Sequence, residues 1–164
     1  RSCLFFDPYR IIKPLIESRK IKRQLMQVFI MKINIRFMDI DAMGHVNHAT
    51  IISYFAEGRN EFLRDMFDEF KPASYPFILK YLECNYIQPI DLQADLRLKV
   101  WVKEIKNKSF KLGYNLLDND KDNITYAHGE SIQICYDYNQ NKSTEISNKL
   151  RQKLLDYHVT SSKN

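Results

Sequence analysis

No apolar run in this 164-residue chain is long enough to span a bilayer, so a transmembrane helix is excluded. Residues 1–30 lack the hydrophobic core and small-residue cleavage site of a secretory signal. Cysteine is scarce: Cys3, Cys84 and Cys135 are an odd number with no metal-like spacing. The last two fall in strand patterns, so they are expected as buried free thiols in a reducing compartment, the cytoplasm. A catalytic thiol has no supporting pattern. Internal repeats and low-complexity segments are also missing.

Excess charge is absent from most of the chain. The formal net charge is +5, but residues 1–30 alone hold Arg1, Arg10, Lys13, Arg19, Lys20, Lys22 and Arg23 against Asp7 and Glu17. The other residues therefore balance, and a nucleic-acid-binding domain loses its main support. Residues 1–30 are expected as a basic extension outside the core, with Met26 or Met31 as a possible true beginning. Residues 31–158 form one domain with a single core, and 159–164 a tail.

What is present is organised around Arg36–Arg64. Ile33, Ile35 and Phe37 alternate with polar residues as the end of a strand. The chain then turns through Asp39-Ile40-Asp41-Ala42-Met43-Gly44, with a glycine at the bend. After His45-Val46-Asn47-His48 a helix begins, capped by Asn47, whose side chain accepts from a free first-turn amide. Ile51, Ile52, Phe55, Gly58, Phe62, Leu63, Met66 and Phe67 cover a broad arc at 100° per residue, opposite Glu57, Asn60, Arg64 and Asp68. So wide an arc predicts a helix covered on more than one side. Arg59 falls inside it, either snorkelling or paired with a carboxylate, or else contacting substrate.

Downstream the period is two. A Pro-containing loop at 71–76 cannot continue the helix. Leu82, Cys84 and Tyr86 then share one strand face. Leu96, Leu98, Val100 and Val102 line the next strand, and Phe110, Leu112, Tyr114 and Leu116 a third. The polar run 118–123 reads as a hairpin turn. A long strand over 124–138 places Ile132, Ile134, Tyr136 and Tyr138 on one face. Ile146, Leu150, Leu154 and Tyr157 predict a short amphipathic helix. The order predicts an α+β domain in which an antiparallel sheet of about five strands wraps one long helix.

Two carboxylates, two imidazoles and a helix N-terminus fall within ten residues. Cleaving an activated acyl group requires a nucleophile or base and a stabiliser for the oxyanion. Asp41 suits either first role, and amides near His48, Ala49 and Thr50 suit the second. His48 could orient the carbonyl or shuttle a proton. The bland readings are that Asp41 is only a turn carboxylate and His48 only a cap or core histidine. Asp39 is expected to brace the turn, and His45 to be structural with substrate contact as its other role. Lys103, Lys106, Lys108 and Lys111 flank one hairpin, either as a solvated turn or as phosphate partners.

The segment Phe37–His48, with Tyr54-Phe55, Arg59–Leu63, Gly129-Glu130 and Cys135–Tyr138, resembles the 4-hydroxybenzoyl-CoA-thioesterase-type hotdog proteins over Met31 to Tyr157. The resemblance implies a hotdog fold and hydrolysis of acyl-CoA or acyl-carrier-protein thioesters without metal or other cofactor. It further implies a homodimer or homotetramer with its cleft at the dimer interface, and Asp41 as the catalytic carboxylate. In the branch similar to Tol-Pal-associated thioesterases the residue matching His48 is also functional. That branch carries a tyrosine where this chain has Phe37, and the A-M-G-H-V-N form looks nearer to general fatty-acyl thioesterases. His45, Asn47, Ala49, Thr50 and Arg59 are the expected substrate contacts. Two other readings stay open: a non-catalytic acyl-thioester-binding subunit, and a metal-dependent hydrolase using Asp41, His45 and His48.

Overall fold

The long helix predicted from the apolar period is α1, His48–Met66, with Ile51, Tyr54, Phe55, Gly58, Phe62, Leu63 and Met66 buried. The structure, a computed structural model, describes residues 27–67, 76–120 and 124–159. The expectations for residues 1–26, for most of the Pro-containing loop, for the tip of the 118–123 turn, for the tail and for Cys3 lie outside those residues.

Alternation in the sequence becomes a mostly antiparallel sheet: β1 (Phe29–Lys32), β2 (Phe77–Tyr86), β3 (Leu96–Ile105), β4 (Ser109–Asp118), β5 (Thr125–Asp137) and the two-residue β6 (Lys142–Ser143). The strand order is β1-β3-β4-β5-β2, with β6 on the end of β5. α1 lies across one face. Leu96, Leu98, Val100 and Val102 of β3 and Phe110, Leu112, Tyr114 and Leu116 of β4 are buried beneath Phe55, Phe62 and Leu63. Each large apolar side chain taken from water there contributes about 1.5–3 kcal/mol. Gly58 sets the distance between the layers: a Cβ at that position would overlap the Leu98 side chain and stand 3.4 Å from Val100 Cγ2.

The C-terminal helix α2 (Asn148–Asp156) closes the far end of α1, burying Leu150 and Leu154. The Tyr157 ring meets Phe62 edge-on at 5.0 Å, and its hydroxyl donates to Asp65 at 2.9 Å. Phe62 also meets Phe29 at 5.9 Å, so the sheet takes up Phe29 and Ile30 from the N-terminal segment.

One local expectation is corrected. The first strand ends at Lys32 and does not run on to Phe37. The Ile33 amide still donates to Leu96 O, but the chain then leaves the sheet for a 3-10 turn at Phe37–Asp39, where Phe37 is 86% exposed. On β5 the expected alternation holds and the structure assigns the faces: Ile132, Ile134 and Tyr136 share the half-exposed outer one, while Ala127, Gly129, Ser131, Gln133 and Cys135 are buried under the helix. Polar residues face inward there because they partner one another, as described below.

Candidate active site

The D-x-D turn is held from three directions. Asp39, 3% exposed, accepts from the Arg36 amide at 2.8 Å, from the Arg36 guanidinium at 3.0 Å and from the Tyr54 hydroxyl at 2.7 Å. Tyr54 lies on α1, so this carboxylate ties the turn to the helix. The Asn47 amide donates to Asp39 O and the Val46 amide to Ile90 O. Gly44 supplies the left-handed bend at φ 86°, and the Asp41 amide donates to His45 O at 2.8 Å. Asp39 therefore braces the turn as expected, by side-chain as well as backbone bonds.

Burial alone would raise the Asp39 pKa. The Arg36 and Tyr54 hydrogen bonds outweigh that cost and hold it below the usual carboxylate value. A carboxylate lowered on folding contributes stability that is complete above its unfolded pKa, about 4, and that fades as pH falls through the lower folded value. Chemical denaturation across an acid series is expected to show wild type losing stability below about pH 4. Asp39→Asn should be about 2 kcal/mol less stable at neutral pH and flatter in that window. Parallel pH curves for the two proteins would refute the assignment.

Asp41 is half-buried at the tip. Its Oδ1 accepts from the Met43 amide at 2.8 Å and the His45 amide at 3.4 Å. Among the described residues its Oδ2 makes no hydrogen bond. The side chain lines a cavity of about 350 Å³ with His45, Val46, His48, Ile51, Tyr86 and Ile90. The His45 Nε2 stands 3.7 Å from Asp91 Oδ1. His48 is the first residue of α1 and is exposed. The Tyr86 hydroxyl donates to its carbonyl at 3.2 Å, and the two rings meet edge-on at 6.3 Å.

The three amides singled out from the sequence are not equivalent. Asn47 is the cap, and its side chain accepts from the Ala49 amide at 2.9 Å. The Thr50 amide donates to Asn47 O. Only the His48 N–H lacks a hydrogen bond among the described residues, and it stands at the positive end of the helix. Ala49 and Thr50 thus bring backbone already in use, whereas Asp41, His45 and His48 converge on one cavity. Arg59 lies three turns further along α1, away from it.

Other expectations are met by solvated or paired groups. Lys103 and Lys111 both pair with Glu130, at 2.7 and 3.2 Å, and Lys106 pairs with Glu104 at 3.5 Å. Three of the four hairpin lysines are thus engaged with acids on the sheet, and Lys108 is exposed. Cys84 and Cys135 are free, and burial pushes the Cys135 thiol up to about 11. Among the described residues no group of three His, Cys, Asp or Glu side chains converges as a metal site, and no helix is long and apolar enough to cross a membrane. Sequence reasoning missed two lining residues, Tyr86 as a partner of His48 and Ile90 as the acceptor that anchors Val46. Neither lies near the motif in sequence.

The model of the thioesterase-like superfamily matches residues 35–154, and the chain belongs to that superfamily, a class of thioester hydrolases. A chain described as a predicted thioesterase of Bacillus stearothermophilus superposes with a TM-score of 0.76 at 19% identity, covering 83% of this chain and 100% of that one. A thioesterase of Thermus thermophilus complexed with coenzyme A and Zn gives 0.68 at 19% identity, covering 78% and 93%. These likenesses establish the hotdog fold. A 1,4-dihydroxy-2-naphthoyl-CoA hydrolase of Prochlorococcus marinus is 26% identical over 136 residues, 77% of this chain and 83% of that protein.

Proposed function

We propose that this protein hydrolyses acyl thioesters of coenzyme A or an acyl carrier protein to a free acid and a thiol. The observation that carries the reading is that Asp41, with one carboxylate oxygen not hydrogen-bonded among the described residues, lines the same cavity as His48, whose amide at the start of α1 also makes no hydrogen bond among them. The thioester carbonyl oxygen accepts from His48 N–H, which stabilises the oxyanion of the tetrahedral intermediate. Asp41 acts as general base on a water, or attacks the carbonyl carbon itself to give an anhydride that water then opens. Either way the C–S bond breaks and the departing thiolate takes a proton. The exposed His48 imidazole is placed to deliver it. The coenzyme A hydrolase named among the relatives supports coenzyme A as the carrier.

The reading includes a second copy of the chain. β2 is the last strand in the order, and Ile78, Leu79 and Tyr81 on it are exposed. An apolar edge strand of ten residues is a template for pairing with another. Pairing there would set a partner beside the open cavity and give the dimer or tetramer expected of the family. The test is thiol release from short, long and aromatic acyl-CoAs, with sedimentation of the same sample. Acyl-CoA binding without thiol release would overturn hydrolysis, and a monomer at assay concentration would overturn the shared cleft.

A further inference from the structure

Arg59 is a half-buried cation on the inner flank of α1 that no carboxylate among the described residues neutralises. Its Nη1 is buried and makes no hydrogen bond. An unmatched guanidinium N–H in such a place costs free energy, so an anionic partner from elsewhere would stabilise it. Its surroundings are already polar. Tyr114, fully buried and stacked on Phe55 at 4.8 Å, has its hydroxyl 2.6 Å from Ser131 Oγ. The Gln133 side-chain amide donates to the same Ser131 oxygen at 2.8 Å. Arg59 acts on the Tyr114 hydroxyl alongside Ser131, both opposing the upward push of burial on that phenol. The result is a cluster of hydroxyl, amide and guanidinium groups under the middle of α1.

The cluster is aligned with the reaction centre. Eleven residues at 100° put Arg59 within about 20° of His48 on the helix, about 16 Å further along the axis. Helical side chains lean back toward the N-terminus, so the guanidinium comes closer than that. Ile52 and Ala56, half-buried, lie between them on the same flank. Leu82 and Cys84 of β2, half-buried and facing the helix, line the other side. An apolar strip thus starts at the proposed thioester site and ends at a cation that no carboxylate among the described residues pairs.

We propose that this flank of α1 holds the acyl chain and that Arg59, backed by Tyr114 and Ser131, receives a carboxylate at the chain's far end. The preferred substrates are then coenzyme A mono-thioesters of dicarboxylic acids whose chain spans about 10–15 Å. An oxygen substituent beside the thioester carbonyl would lie too far from Arg59 to be recognised. The inference rests on the proposed thioester hydrolysis and on the dimer that would roof the strip.

The test measures kcat/KM for length-matched pairs of acyl-CoAs of about nine to thirteen carbons, one ending in a carboxylate and one in a methyl group. Wild type is expected to favour the carboxylated member by at least about tenfold, and Arg59→Gln to lower that ratio by about the same factor. Wild-type cleavage of both members with no preference overturns this inference alone. So does an Arg59→Gln protein that loses both substrates equally, or one whose ratio is unchanged while its dimer dissociates more readily, which would assign the counter-charge to a second copy. Cleavage of neither member, or of any other acyl-CoA, overturns the hydrolase reading and this inference together.

Discussion

Replacing Asp41 by asparagine is expected to lower kcat for acyl-CoA hydrolysis by about a thousandfold while leaving the melting temperature within a few degrees of wild type. The two halves of that expectation come from different atoms. The Oδ1 that accepts from the Met43 and His45 amides is reproduced by the asparagine carbonyl, so the turn keeps its shape. The other oxygen, which makes no hydrogen bond among the described residues, becomes an NH2 group that can neither take a proton from water nor attack a carbonyl carbon. KM should change little, because the oxyanion donor and the acyl strip are untouched. The measurement is steady-state thiol release by purified wild type and variant, with a thermal melt of each. Near-normal turnover in the variant would assign Asp41 to the turn alone and remove the proposed chemistry.

The largest loss of stability is expected at Gly129. A Cβ there would overlap the Glu83 carbonyl oxygen and stand 2.8 Å from Phe55 Cε2. One obstacle is the backbone of the paired strand β2 and the other is a fully buried ring stacked on Tyr114. Neither moves without opening the β2–β5 ladder or lifting α1. Gly129→Ala is therefore expected to cost about 3 kcal/mol, lowering the melting temperature by about 6–12 °C in a domain of this size. Gly113→Ala makes the contrast. There the added carbon would meet the half-exposed Trp101 ring at 2.5 Å and Lys103 Cδ at 3.0 Å, on the outer face where side chains can swing aside. Its cost should be clearly smaller. Equal melting temperatures for the two alanine variants would show that backbone approach at Gly129 does not limit the fold.

How far the sequence could be read depended on whether a residue's partner was local or distant. The helix was legible because Ile51, Phe55, Phe62 and Leu63 repeat at its period. Strands β3 and β4 were legible because Leu96, Leu98, Val100 and Val102 on one and Phe110, Leu112, Tyr114 and Leu116 on the other alternate as a buried face. The first strand was overextended because Ile33, Ile35 and Phe37 keep the alternation after the backbone has left the sheet. The Arg36–Asp39 bonds close a tight turn there that apolar spacing does not register. On β5 the pattern was right and the face could not be assigned. Ser131 and Gln133 look like solvent residues until Tyr114, from another strand, is known to meet them.

Within the site, Asp41 and His48 were visible because motif and helix start adjoin in sequence. Which amide stays open was not visible, since Asn47 uses its own side chain on Ala49 and its carbonyl on Thr50. The bond from Tyr54 to Asp39 was not visible either, because the two lie fifteen residues apart.

The bond from Tyr54 to Asp39 has one further consequence. It fastens the turn bearing the carboxylate to the same helix whose first amide awaits the carbonyl oxygen, so both groups travel as a single jaw. A substrate that tightens the site on arrival would act on Ile87 to Pro89 across the cavity, since Tyr86 and Ile90 on either side are hydrogen-bonded to this jaw. Comparison of free and liganded crystals should find the spacing of Asp41 and His48 conserved while residues 87–89 shift.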